Sequence, residues 1–188
     1  MAEPIIGLPR THPLQAWAPA LADLPDAVRV TVEPHDAMVD VRLADPGALD
    51  LPTTPNTWVP TDAGRAVWLG PDEWLLTSGS ETPWEFEERV RAAAGPLGGA
   101  VVDVSAQRIT LRLTGERARD VLAKGCSIDL HPKVFGRGGS AQTTLGMAGV
   151  VLLALSDAGD DYLVLVRSSF AGYLADWLLD AALEYSAP

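Results

Sequence analysis

Asp103-Val104-Ser105 places a carboxylate and a hydroxyl two positions apart where an apolar strand ends. Such a pair could orient a substrate amine. An Asp near a strand end also caps turns, and Ser105 suits that alternative. Cys126, the only cysteine, precedes His131 by five positions. A thiol becomes nucleophilic beside a histidine or at a helix N-terminus. Here it follows a helix C-terminus, whose dipole disfavours a thiolate, so a small packing role competes with a nucleophilic one. His12, His35 and His131 sit in dissimilar contexts without ligand spacing, which argues against a zinc site. Gly136-Arg137-Gly138-Gly139-Ser140 is rich in glycine. It lacks the Gly-x-x-x-x-Gly-Lys-Ser/Thr spacing and the following helix signal of a phosphate loop, so a flexible loop is expected. No Gly-x-Gly-x-x-Gly is present to bind a dinucleotide. These patterns assign no catalytic and no metal-ligating residue, and they leave a cofactor-binding set undetermined.

The elements that must position these residues are read from periodicity. Val28, Val30 and Val32 alternate with polar residues, as do Val39, Val41 and Leu43, and each set predicts a short strand. Leu51-Pro52-Thr53-Thr54-Pro55-Asn56-Thr57 reads as a loop. Strands over 66–69 and 74–77 flank Gly70-Pro71-Asp72-Glu73, whose second-position proline suits a type I or II turn. Thr82-Pro83-Trp84-Glu85 carries a capping box with proline at the first helical position, so a helix is expected to run to about Ala94 and stop at Gly95-Pro96. Ala100–Val104 and Arg108–Leu113 are further strands. Thr114 is expected to cap a helix with Ala118, Val121 and Leu122 inward, ended by Gly125 as a C′ residue. Met147–Leu155 and Tyr162–Val166 read as a hairpin through Ser156-Asp157-Ala158-Gly159-Asp160. A last helix is expected from Ser169 as N-cap, with Phe170, Tyr173, Leu174, Trp177, Leu178, Ala181 and Ala182 as its apolar stripe.

This order predicts an α+β fold, with helices packed on mostly antiparallel sheets, and rules out a doubly wound parallel sheet. Ten of the fifteen prolines fall in the first 60 residues, which excludes a long helix or central strand near the start. Residues 1–26 are therefore expected as a proline-rich arm and residues 27–188 as one α+β domain. The arm carries Ile5, Ile6, Leu8, Leu14, Trp17 and Leu21, too apolar for a solvated tail. It packs on its own domain or lies across another subunit. Among the six tryptophans, Trp68, Trp74 and Trp177 fit a core. Trp17, Trp58 and Trp84 lie in irregular segments or at a helix start, and either pack internally or contact a partner.

Net charge is −11 with a pI near 4.5, so nucleic acid and anionic membrane surfaces are not expected partners. One cysteine allows no internal disulfide. The start lacks a basic region and an apolar run of signal-peptide type, and a cytoplasmic location is expected.

A family resemblance rests on Leu69-Gly70-Pro71-Asp72-Glu73-Trp74-Leu75-Leu76, then Asp103-Val104-Ser105, then Gly125-Cys126-Ser127-Ile128-Asp129-Leu130-His131-Pro132, then Arg167-Ser168-Ser169-Phe170-Ala171. With the Leu51–Thr57 loop, these segments resemble the gamma-subunit family of heterotetrameric sarcosine oxidase, from about residue 50 to the end. That family is similar to one portion of the glycine-cleavage T-protein, an aminomethyltransferase using tetrahydrofolate. The resemblance implies a T-protein-like folate-binding fold and a complex with alpha, beta and delta subunits. Such a complex would oxidise sarcosine to glycine with FAD, FMN, NAD and tetrahydrofolate, and would release hydrogen peroxide. Where T-proteins carry a paired acidic step in a hairpin, residues 140–155 of this chain contain no Asp or Glu. The chain is therefore expected to bind none of these cofactors itself and to be an accessory, non-catalytic subunit. The alternatives are a stand-alone folate-dependent aminomethyltransferase or a folate-binding module. Lys124-Gly125-Cys126 also resembles a motif of folate-binding proteins of iron–sulfur maintenance, but Ser127-Ile128-Asp129 follows in place of an aromatic residue and a Gly-Gln pair.

Overall fold

The computed structural model describes residues 11–186. After a short helix α1 (Ala18–Ala22) come β1 (Arg29–Val32) and β2 (Ala37–Arg42). Then follow β3 (Trp58–Pro60), β4 (Gly64–Gly70), β5 (Glu73–Ser78), helix α2 (Pro83–Ala94) and β6 (Ala100–Asp103). The second half holds β7 (Arg108–Thr114), α3 (Ala118–Ala123), β8 (Ser140–Leu145), β9 (Ala148–Ala154), β10 (Asp161–Arg167) and α4 (Ala171–Ala182). Two five-stranded sheets result, ordered β1-β7-β10-β9-β8 and β3-β4-β5-β2-β6. Every strand pairing is antiparallel. The second sheet is one continuous stretch of chain inserted between β1 and β7.

The side-chain period of two gives each sheet two apolar faces, and three buried clusters fill them. Ile109, Leu111 and Leu113 of β7, with Val150 and Leu152 of β9, meet Leu21, Val121, Leu174 and Leu178 of the helices α1, α3 and α4. Val39 and Val41 of β2 and Trp74 of β5 meet Phe86 and Val90 of α2. Between the sheets, Met38, Val67 and Leu75 face Val151, Leu153, Leu163 and Leu165. The layers therefore run helix, sheet, sheet, helix.

The capping box forms as read: Thr82 N–H donates to Glu85 Oε2 at 3.1 Å and Glu85 N–H donates to Thr82 Oγ1 at 3.4 Å. The Gly95-Pro96 stop is softer, since one 3-10 turn, Gly95–Leu97, continues the helix. Along the outer edge of β6, Asp103 N–H donates to Glu87 at 3.2 Å and Arg91 donates to Val101 O at 3.1 Å. Side chains of α2 thus close that edge to further strand pairing.

Several boundaries differ from the sequence reading. Thr114 ends β7 instead of capping α3, because Gly115 (φ 119°) turns the chain where Ala27 O would lie 2.4 Å from a Cβ. Gly125 does not adopt the left-handed C′ conformation; it is small because a Cβ there would meet Trp177 Cζ2 at 2.5 Å. Ser169 is not the N-cap of α4: a 3-10 turn, Ser168–Phe170, precedes the helix. The buried arc of α4 is Ala171, Leu174, Ala175, Leu178, Ala181 and Ala182, while Phe170 and Tyr173 of the expected stripe are 42% and 39% exposed. Strands β3 and β8 have no counterpart in the sequence reading. From the expected arm, Leu14 and Leu21 are buried in the main core, whereas Ile5, Ile6 and Leu8 lie outside the described residues.

Candidate functional site

Asp103 and Ser105 do meet, at the crossing from β6 to β7. Asp103 Oδ1 accepts from Ser105 N–H at 2.9 Å and from its hydroxyl at 2.6 Å. Ser105 Oγ in turn accepts from Met38 N–H at 2.9 Å, fastening the crossing to β2. The carboxylate oxygen is occupied in a turn, so the pair's structural job is the chain's passage from one sheet to the other.

Cys126 and His131 are not joined. The thiol lies 3.9 Å from Thr143 Oγ1, and His131 Nδ1 accepts from Lys133 N–H at 3.2 Å. Cys126 N–H closes the end of α3 by donating to Leu122 O at 2.9 Å. A residue with this surrounding tolerates a hydroxyl in place of the thiol. Cys126→Ser is expected to shift the unfolding free energy by less than about 1 kcal/mol, checked by urea denaturation; a larger loss would expose a role for the thiol.

His12 and His35, distant in sequence, pack against each other with ring centroids 4.7 Å apart and planes tilted by 40°. Leu14 N–H donates to His12 Nδ1 at 3.1 Å, which requires that nitrogen to be unprotonated. Burial, reinforced by the neighbouring His35, pushes the His12 imidazole below the ordinary histidine range. The unfolded chain therefore takes up this proton first as pH falls. The stabilisation is complete above about pH 6.5 and is lost as pH drops from there toward the lowered value. Asp36 beside the pair is pushed up by burial, against the pull of Arg65 and His35, and contributes with the opposite sign. Comparing wild type with His12→Gln cancels that contribution: the stability difference between them is expected to change between pH 7.5 and about 5.5. A difference flat with pH would remove His12 from the account. Among the described residues, no group of three or more His, Cys, Asp and Glu is placed to hold a metal ion.

The glycine-rich segment is a pinned turn instead of a flexible loop. Gly138 O accepts from Trp58 N–H at 2.9 Å, Gly138 N–H donates to Ala154 O at 3.1 Å, and Ser140 N–H donates to Asn56 O at 2.8 Å. Trp58 adds its indole N–H to Ala154 O at 3.0 Å, so this tryptophan packs within its own chain. Trp17 does likewise, donating to Asp176 Oδ1 at 2.7 Å. Trp84, 70% exposed at the start of α2, is the remaining candidate for a partner contact.

The same turn walls a cleft of about 1150 Å³ between the Asp50–Val59 segment and residues 128–142. Its polar lining includes Asn56, Thr57, Lys133 and Arg137, with the buried Ser140 hydroxyl unpaired among the described residues. Of its two carboxylates, Asp129 already accepts from His131 N–H at 2.8 Å, and Asp50 sits on a backbone turn with φ 49°. Nothing in the lining pairs an acid with a base. Behind the cleft runs β9, whose Val150, Val151, Leu152, Leu153 and Ala154 are at most 5% exposed. Val150, Leu152 and Ala154 fill the helix-side core, and Val151 and Leu153 fill the space between the sheets. From Val150 to Ala154 the strand presents only buried apolar side chains, and its exposed Gly149 borders a second, smaller cleft that contains no carboxylate among the described residues.

The Sarcosine oxidase, gamma subunit family is matched over residues 35–184. The chain belongs to that family. A curated relative, the sarcosine oxidase subunit gamma of Corynebacterium sp. (strain U-96), is 40% identical over 126 residues, covering 66% of this chain and 60% of the relative. The match thus spans about three-fifths of the curated subunit's length. One chain of the heterotetrameric sarcosine oxidase from Corynebacterium sp. U-96, solved in complex with pyrrole 2-carboxylate, superposes with a TM-score of 0.85 at 29% identity. The superposition covers 95% of this chain and 97% of that one. The glycine cleavage aminomethyltransferase T from Bartonella henselae gives 0.57 at 15% identity, over 87% of this chain and 48% of its own. That likeness is one of fold. The α+β architecture expected from the sequence, T-protein-like with antiparallel sheets, is the one the family carries. No helix among the described residues is long and apolar enough to cross a membrane.

Proposed function

We propose that this chain is a non-catalytic gamma-type subunit of a heterotetrameric sarcosine oxidase, docking on its alpha, beta and delta partners and supporting their assembly in the cytoplasm. The observation that carries the reading is the Val150–Ala154 stretch of β9, apolar and buried on both faces where a folate-dependent transferase of this fold would need acidic groups. The tetrahydrofolate implied by the family does not fit the residues present, since no carboxylate lies in the 140–155 hairpin to serve as base or to stabilise an iminium. FAD, FMN and NAD are likewise assigned to other subunits, and the oxidation of sarcosine with them. Residues 1–26 are read as an arm whose second half is anchored by Leu14 and Leu21.

The aminomethyltransferase fold likeness favours one rival, an independent folate-dependent transferase. Titration calorimetry of the isolated full chain with tetrahydrofolate separates the two. The subunit reading expects no heat of binding up to millimolar folate and no turnover of an aminomethyl donor. Saturable binding accompanied by turnover would replace it with the rival.

A further inference from the structure

Arg108 on β7 and Arg167 on β10 are directly opposite each other in the strand register. Alternation places both on the face that looks toward the second sheet, since Ile109 and Val166 fill the helix-side core. Like charges in this position repel and destabilise a sheet. Neither guanidinium takes part in an ion pair among the described residues. Among the described residues the side-chain acceptor of Arg108 is the amide oxygen of Gln107 at 2.6 Å. On the second sheet, Glu73 bonds Arg42 at 2.8 Å and interacts with Asp40, and both carboxylates attract Arg108 without forming an ion pair with it. Burial and the charge of Arg167 pull Arg108 below the ordinary arginine value. Two arginines face to face without an ion pair are an energetic cost that these carboxylates offset only in part, since burial and Arg167 prevail at Arg108.

Both arginines line a cleft of about 570 Å³ with Thr143, Thr144 and Phe170. Beside it, starting at Phe170, lies an exposed apolar patch. Phe170 meets Tyr173 edge-on at 6.4 Å, and the Tyr173 hydroxyl accepts from Met147 N–H at 2.9 Å. Met147, at the tip of the β8–β9 hairpin, is 80% exposed. The apolar stripe of α4 thus continues past the arc its own domain covers. The helix also begins here without a side-chain cap or an acidic residue in its first turn, which adds positive potential beside the arginines. Arginine, methionine and aromatic side chains together are the composition of interface hot spots. A small anion would neutralise the arginines and leave the Met147, Phe170 and Tyr173 surface wet. An acidic, apolar protein surface covers both.

We infer that the Arg108–Arg167 cleft, with the adjoining Phe170, Tyr173 and Met147 patch, is the surface on which another subunit of the complex docks, inserting a carboxylate side chain between the two guanidiniums. The inference rests on the subunit reading above and names the face that reading leaves open. The complex, assembled by co-expressing this chain with the other subunits, tests it through the chain's dissociation on dilution, followed by native mass spectrometry. Arg108→Glu/Arg167→Glu is expected to weaken association about 30-fold or more. Phe170→Ser and Met147→Ser should weaken it too, while Leu97→Ser, just past the end of α2 on the far helical layer, leaves it unchanged. Arg167→Gln provides a second readout: relief of repulsion keeps or raises the melting temperature of the isolated chain even as the complex loosens. Charge-reversed chains that assemble like wild type would overturn this docking face alone. So would stoichiometric binding of inorganic phosphate at the arginines with assembly unaffected by their reversal. A wild-type chain that joins no partner at all would overturn the subunit reading together with it.

Discussion

Leu152→Asp is expected to leave no folded chain. Leu152 is 1% exposed on a central strand and packs against the helices of the first layer. Truncating such a leucine to alanine typically costs about 2–5 kcal/mol. A buried, unpaired carboxylate adds several more, or else stays protonated and still loses its solvation. The sum approaches the roughly 5–15 kcal/mol that holds a domain together. Leu152→Met, close in volume, is expected to cost less than about 1.5 kcal/mol. Far-ultraviolet circular dichroism and soluble yield distinguish the pair. A folded, soluble aspartate variant would show that β9 can carry charge, and the strongest structural objection to chemistry on this chain would fall.

Gly146→Ala is expected to lower stability by about 2–3 kcal/mol, which in a chain of this size is a melting shift of roughly 4–12 °C. Gly146 has φ 59°, and an added Cβ would stand 2.7 Å from the Tyr173 hydroxyl and 3.2 Å from Trp177 Cδ1. A Cβ added at Gly125 would stand 2.5 Å from Cζ2 of the same indole, and the Gly125 carbonyl accepts from Gly146 N–H at 3.0 Å. Two glycines therefore let the end of α3, the β8–β9 tip and α4 close on one tryptophan. Gly149→Ala is the matched control, since nothing lies within 4 Å of its missing Cβ. Equal melting temperatures for the two variants would contradict this packing.

The sequence was most readable where local chemistry and tertiary burial agree. The Thr82–Glu85 capping box, the alternation in β2 and β7 and the apolar runs of β5 and β10 appear in the structure within a residue or two of their expected bounds. It was least readable where an element owes its form to a distant neighbour. Strand β8, Ser-Ala-Gln-Thr-Thr-Leu, has too little apolar alternation to announce itself and exists because β9 pairs with it. Trp58–Pro60 is a strand through its pairing with β4. Gly125 looked like a helix terminator, yet its requirement comes from Trp177 far along the chain. Periodicity named Phe170 and Tyr173 as members of an apolar stripe, but periodicity says nothing of whether the same chain covers them. The His12–His35 contact joins a proline-rich segment to the β1–β2 connection, and no local spacing foretells it.

For the candidate site, the family segments and the missing carboxylates were legible together, because absence of Asp and Glu from residues 140–155 is a property of the string itself. The Arg108–Arg167 opposition was not, since register between β7 and β10 depends on the fold of the intervening chain.

The central claim is that this chain works as a non-catalytic member of a larger oxidase. Native mass spectrometry of the complex purified on a tag at this chain tests it most directly, read together with visible absorbance. The account predicts one assembly holding this chain and three different partners, with flavin absorbance that stays with the partners when the chain is stripped away. A lone, colourless monomer that turns over a folate substrate by itself would contradict it.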